Sequence, residues 1–224
     1  ALSDLLDDST PLLDANGNNA FTITIGTGDD EVSAADLNTL DGLTTVAIDA
    51  GNVTTITSSS LADINTLYAS SGFSGLGDQD ITASDDVSIA ASTISAIATA
   101  NSDGTLDVSG AATITGTAAE IIAAFADGTV TEASNVALTV SGTATLAQAI
   151  DLNALTTGVV TATLADTSVS DLLGDSGLTE TGGTNAYTIT IGTGDAEITA
   201  ANLNALNALT TVAIDAVSYT HLRA

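Results

Sequence analysis

The 224-residue chain carries 28 Asp and Glu against one Arg and one His, with no Lys, Cys, Met or Trp, for a formal net charge of -27. The lack of cysteine excludes disulfides, thiolate metal sites and a cysteine nucleophile, and a chain of this sign, with a single Arg, lacks the cations for the counterion release that nucleic-acid binding requires. Hydrophobic residues at 44% suffice for folding despite the charge, but aromatics are only 3%, which suits thin, regular layers of small aliphatic side chains.

Residues 21–50 are written again as residues 187–216, and only eight of the 30 aligned positions differ, among them Phe21/Tyr187, Val32/Ile198, Ser33/Thr199 and Asp36/Asn202. Weaker variations on the same unit fill the interval. Ser33, Ser60, Ser92, Thr117, Thr143, Ser168 and Thr199 each open a short helical pattern, at intervals of 25 to 32 residues that together span 166. Such hydroxyls accept from free amides at a helix start, and the acids three residues later, Asp36, Asp63, Glu120 and Asp171, suit the positive end of the helix dipole. Apolar pairs at helical spacing follow: Leu37/Leu40, Ile64/Leu67, Ile94/Ile97, Ile121/Phe125, Leu146/Ile150 and Leu203/Leu206.

Between the helices the period falls to two. Phe21, Ile23 and Ile25, then Val136, Leu138 and Val140, then Val160, Ala162 and Leu164 alternate with Thr and Ala, as strands with one buried face do. Turns are marked by Gly51-Asn52, Asp103-Gly104, Asp127-Gly128 and Gly182-Gly183. The unit reads as strand, strand, short helix, and stacking it at about 26–28 residues per rung gives an α/β parallel solenoid. An all-β solenoid is the alternative, because runs of Ala and Thr are weak evidence for helix. The expected organisation is a single solenoid of about seven to eight rungs over residues 1–216. No apolar run approaches the ~18 residues of a membrane span, no signal segment opens the chain, and a start at Ala1 inside a partial repeat suggests a piece of something longer.

Enzymes are disfavoured by inventory, since no activated nucleophile, phosphate clamp or ordinary general base is available. Paired carboxylates such as Asp29/Asp30 and Asp85/Asp86 remain, and adjacent acids in a loop are usually solvated. The Thr-x-Thr pairs at Thr22/Thr24, Thr55/Thr57, Thr113/Thr115, Thr161/Thr163 and Thr188/Thr190 would form hydroxyl ladders if their strands stack in register. Such ladders are similar to the flat faces of ice-binding solenoids, although threonine is also simply a good strand residue on a wet face.

Gly26-Thr27-Gly28-Asp29-Asp30-Glu31-Val32 resembles part of the glycine- and aspartate-rich nonapeptide of RTX proteins, whose tandem copies bind Ca²⁺. The resemblance implies Asp29, Asp30 and Glu31 as metal ligands. Ca²⁺ takes six to eight oxygens, more than one loop supplies, and the copy at 192–198 has Ala196 in place of Asp30. Through Ala216 the composition and degenerate repeats resemble the repeat regions of giant bacterial surface and secreted β-strand-repeat adhesins. That likeness implies an extracellular or cell-surface structural role, with neighbouring repeats, Ca²⁺ and an extracellular surface or glycan as partners. The last eight residues, 217–224, which hold the sole His and Arg, resemble a translated sequencing adaptor and are expected to be a non-native tail. The expectation is therefore a non-enzymatic adhesive or structural segment stiffened by Ca²⁺, with a glycan- or ice-binding module and a carbohydrate-active solenoid enzyme as its alternatives.

Overall fold

The computed structural model describes residues 2–6, 19–126, 128–165, 168–174, 178, 185–191 and 198–214. The chain divides into two compact units, residues 1–111 with 127–132, and residues 112–126 with 133–224. Unit 1 contains α1 (Leu2–Leu6), β1 (Glu31–Ser33), α2 (Ala34–Asp41), β2 (Ile48–Asp49), β3 (Thr55–Ser59), α3 (Leu61–Ala69), β4 (Phe73–Ser74), β5 (Asp80–Ala83), β6 (Ser88–Ala90), α4 (Ala91–Ala100) and β7 (Thr105–Asp107). Unit 2 begins with β8 (Thr113–Gly116) and α5 (Ala118–Ala124). After β9 (Val130–Thr131), which belongs to unit 1, it continues through β10 (Ala137–Ala144), α6 (Leu146–Leu155), β11 (Val160–Leu164), α7 (Val169–Gly174), β12 (Ala186–Thr188) and α8 (Ala200–Asn207).

In unit 1 a parallel sheet runs β1-β3-β5-β7-β9. Its register carries one unbroken apolar row, Val32, Ile56, Ile81, Leu106 and Val130, all buried. Parallel neighbours place like positions side by side, so each repeat contributes one aliphatic side chain to the row, and each such burial is favourable by roughly 1.5–3 kcal/mol. The residues that alternate with this row face outward: Glu31, Thr55, Asp80 and Thr105 form one line across the same strands. A smaller parallel pair, β2 with β4, is extended by a bridge from Thr24 to Asp49. The helices close the other side, burying Leu37 and Leu40, Ile64 and Leu67, and Ile94 and Ile97, while α3 packs against both α2 and α4.

Unit 2 repeats the design. Its strands β8, β10, β11 and β12 are parallel neighbours, with Ile114, Leu138 and Val160 in one buried row and Ala162 beside Tyr187 in another. Helix α5 packs on α6, and α7 on α8. Every sheet pairing described here is parallel and every repeat carries a helix, so the fold is α/β, and the all-β alternative gives way.

Capping follows the hydroxyls. Ser33, Ser60, Thr117, Ser168 and Thr199 each accept from the amide three residues on, and Thr117 with Glu120 closes a reciprocal box. Two expected starts move by two residues. Helix α4 begins after Ala90, which makes no side-chain cap, because Ala91 rather than Ser92 shares the buried stripe with Ile94 and Ile97. Helix α6 begins after Thr145, whose box with Gln148 outcompetes Thr143; the latter stays in β10, paired with Thr163. Consequently Leu146 and Ile150 are only half-buried, and Ala149 and Leu152 take the inner face. The expected strand at residues 21–25 reduces to the Thr24 bridge, with Ile25 buried and Phe21 40% exposed.

Candidate functional site

The acidic turn lies at the start of unit 1. The Asp29 amide donates to the Gly26 carbonyl at 3.0 Å, closing a tight turn before β1. Neither Gly26 nor Gly28 is crowded, since a Cβ at either would meet nothing within 4 Å. Asp29 Oδ2 accepts from the Leu2 amide, the first residue of α1, at 3.0 Å. Its carboxylate thus sits at the positive end of a helix from the preceding repeat. Asp30 serves through its main chain, its carbonyl accepting from the amides of Thr54 and Thr55 at 2.9 and 3.1 Å. Glu31 opens β1, exposed, across from Thr55.

Beside this turn is an open pocket of about 450 Å³, lined by Leu2 and Leu6 of α1, Val32, and the acids Asp29, Glu31 and Asp36. The three adjacent residues expected as ligands do not converge on one point, and among the described residues no group of three acids is close enough to hold a metal ion. The second copy of the turn, at 192–197, lies outside the described residues, as does the tail at 217–224.

Asp29 is one of a set. The first amide of α2, Ala34, donates to Ser59 Oγ at 2.9 Å, and that of α3, Leu61, donates to Asp85 Oδ2 at 2.6 Å. In all three cases a residue 24 to 27 positions ahead supplies the acceptor that the helix start lacks. Of the pair Asp85/Asp86, the first is therefore a helix-terminus ligand. Other carboxylates are likewise bonded to neutral donors: Asp41 to the Ser70 hydroxyl, Asp80 to that of Thr105, Asp63 to that of Ser60 and Asp107 to the Ser109 amide. A chain almost without cations satisfies these acids with N–H and O–H groups and leaves the net charge standing.

The Thr-x-Thr pairs separate by unit. In unit 1 they are interrupted, Thr24 lying beside Asp49, and Thr55 between Glu31 and Asp80. In unit 2 several of their members line up, although Thr113 faces Ala137 and Thr161 has Ala186 on its other side. Thr115, Thr139 and Thr161 form one row and Thr143, Thr163 and Thr188 a second. All but the half-buried Thr115 are exposed. A register shift between Thr139 and Thr143, with Gly142 at φ 77°, lets β10 supply both rows. A left-handed backbone there favours glycine.

Buried polar groups missed at the sequence level join repeats from within. In unit 1 Tyr68 donates to Gln79 Oε1 at 3.0 Å, Asn101 Oδ1 accepts from the Gln79 amide at 2.9 Å, and Asn101 Nδ2 donates to the Gln79 carbonyl at 2.8 Å. In unit 2 Asn153 Oδ1 accepts from Asn185 Nδ2 at 2.7 Å and from the Tyr187 hydroxyl at 3.1 Å. Burial pushes both phenols well above the ordinary tyrosine range, and the Asp78 charge adds to the effect at Tyr68. Gln79 and Asn185 directly precede β5 and β12, whereas Asn101 follows the last residue of α4 and Asn153 lies inside α6, so no shared sequence position marked them. No buried side-chain polar atom among the described residues is left without a partner. No family model, curated protein or solved structure matches this chain.

Proposed function

We propose that the chain is a non-enzymatic structural segment: a parallel solenoid of stacked repeats from an extracellular bacterial surface protein, stiffened by Ca²⁺ or salt. The observation that carries this reading is the use of side chains. Hydroxyls, amides and carboxylates that would equip a catalytic cleft instead join each repeat to the one before it, as at Leu2–Asp29, Ala34–Ser59 and Leu61–Asp85. A body carrying 28 acids repels itself and gains from screening, which saline or divalent ions outside a cell supply. Thermal melting tests the ionic part: millimolar Ca²⁺ or high salt raises the midpoint over chelator at low salt, and equal midpoints overturn it. Small-angle scattering tests the architecture, since each added repeat lengthens a solenoid by about 4.8 Å, whereas a globule grows in all directions. Immunodetection on intact against lysed producer cells tests the location.

The two aligned threonine rows of unit 2 favour a second reading, a face for ice or polysaccharide. Thr139→Lys with Thr163→Lys would then abolish ice recrystallisation inhibition or glycan retention without lowering the melting midpoint. If the unmodified chain shows neither activity, this reading falls.

A further inference from the structure

The long repeat lets one copy report on the other. In unit 1 the repeat at residues 21–50 is covered by the one that follows it: α3 packs on α2, β3 pairs with β1, and Ser59 Oγ accepts from the Ala34 amide. Asn38 Nδ2 donates to the Asp63 carbonyl at 2.9 Å, and the Ser70 hydroxyl donates to Asp41 Oδ2 at 2.8 Å. In unit 2 the described part of the near-identical repeat at residues 187–216 keeps the inner positions of the helix and of the turn after it, while its first strand is more deeply buried, Tyr187 at 0% where Phe21 is 40% exposed. Leu206 is fully buried like Leu40, and Leu209 is buried like Leu43. The other face differs: Leu37 is 0% exposed and its counterpart Leu203 is 38% exposed. Ala34 is buried and Ala200 exposed, Val32 buried and Ile198 half-buried, and Asn204 is exposed where Asn38 is half-covered.

On the helix and the strand position leading into it, the differences fall on the side that the next repeat occupies in unit 1, and the substitutions there keep its chemistry. Ile198 replaces Val32 with another aliphatic strand residue. Asn204 retains the amide that Asn38 aims at a carbonyl. Asn207, in place of Asp41, still offers an oxygen to a serine hydroxyl.

We propose that the outward face of α8 and of the strand position leading into it is a docking surface for one further repeat of the kind at residues 51–70, joined in cis after Ala216. The incoming helix start would lie over Leu203, its strand beside Ile198, and its counterpart of Ser59 against the Ala200 amide. The contacts are those the same surface makes in unit 1, so the occupant is identified by an internal precedent and not by exposure alone.

The chain contains no cysteine, so Leu203→Cys is a unique thiol reporter. Alkylation by iodoacetamide is measured in the full chain and in a chain where residues 51–101 are appended after Ala216 in place of the last eight. Leu203→Cys labels rapidly in the parent and at least about tenfold more slowly in the extended chain, approaching Leu37→Cys in the parent, because labelling then requires local opening. The same extension carrying Ile56→Asp in the added repeat restores rapid labelling. Equal rates in the parent and extended chains overturn the proposal, as does an added segment that melts separately and earlier than the body. Protection already present in the parent that grows with protein concentration assigns the face to a second copy and likewise overturns docking in cis.

Discussion

Thr44 and Thr210, 166 residues apart, make the same contact: each buried hydroxyl donates at 2.7 Å to the carbonyl of the residue 23 positions earlier, Phe21 and Tyr187 respectively. In both places the amide two residues on, Val46 or Val212, donates back to that hydroxyl at 3.1 Å. Thr156 holds a third version, donating to the Val136 carbonyl at 2.6 Å and accepting from the Gly158 amide at 2.9 Å. The Leu-Thr-Thr triplet at the end of a helix is thus a clip that fastens one repeat to its predecessor. Thr156→Val keeps the shape and leaves a buried carbonyl and amide unpaired, which costs about 1–3 kcal/mol. Thr156→Ser retains the hydroxyl and most of that stability. Urea unfolding of both variants checks the pair, and equal midpoints would show that the clip contributes nothing.

The Thr117–Glu120 box gives a pH dependence of known sign. Glu120 accepts from the Thr117 amide at 2.8 Å and from its hydroxyl at 2.9 Å, and these bonds hold its carboxyl below the ordinary range. A depressed carboxyl contributes stability that is present above the unfolded value and is lost as pH falls through the folded one. Thr117→Ala should return the Glu120 titration, followed by carbon-detected NMR, toward the ordinary value and reduce the acid sensitivity of melting. Because the Thr117 amide bond survives this substitution the return is partial, and an unchanged titration would mean that the hydroxyl takes no part in holding the carboxyl down.

Close approach separates two classes of glycine. A Cβ at Gly104 would collide with the Gln79 carbonyl oxygen and lie 2.7 Å from its amide nitrogen, inside the Gln79–Asn101 junction. Backbone cannot yield as a flexible side chain can, so Gly104→Ala costs at least about 1–3 kcal/mol. Gly28→Ala, in open space, shifts stability by no more than about 0.5 kcal/mol. Thermal melts of the two variants side by side test this ordering.

The buried tyrosines predict an alkaline limit. The folded protein keeps the Tyr187 and Tyr68 phenols neutral to higher pH than the unfolded chain does. Their contribution is therefore complete below about pH 10 and is lost as pH rises beyond it. Tyr187→Phe gives up a buried hydrogen bond to Asn153, about 1 kcal/mol at neutral pH, and should show a shallower loss of melting temperature above pH 10 than the parent. A parallel loss in both proteins would assign the alkaline limit to other groups.

The caps at Ser33, Ser60, Thr117 and Thr199, the period-two strands at β10 and β11, and the 166-residue repeat were legible in the sequence. Each rests on spacing within a turn or along a strand, where neighbours in the chain are neighbours in space. Tertiary structure alone decided that Val32, Ile56, Ile81, Leu106 and Val130 share a row, that only unit 2 aligns its threonines, and that Asp29 and Asp85 serve helix starts 27 and 24 residues behind them. Those partners depend on strand register, and in a parallel sheet register depends on how many residues each intervening turn and bulge consumes. The shift between Thr139 and Thr143 shows how that count varies from one repeat to the next.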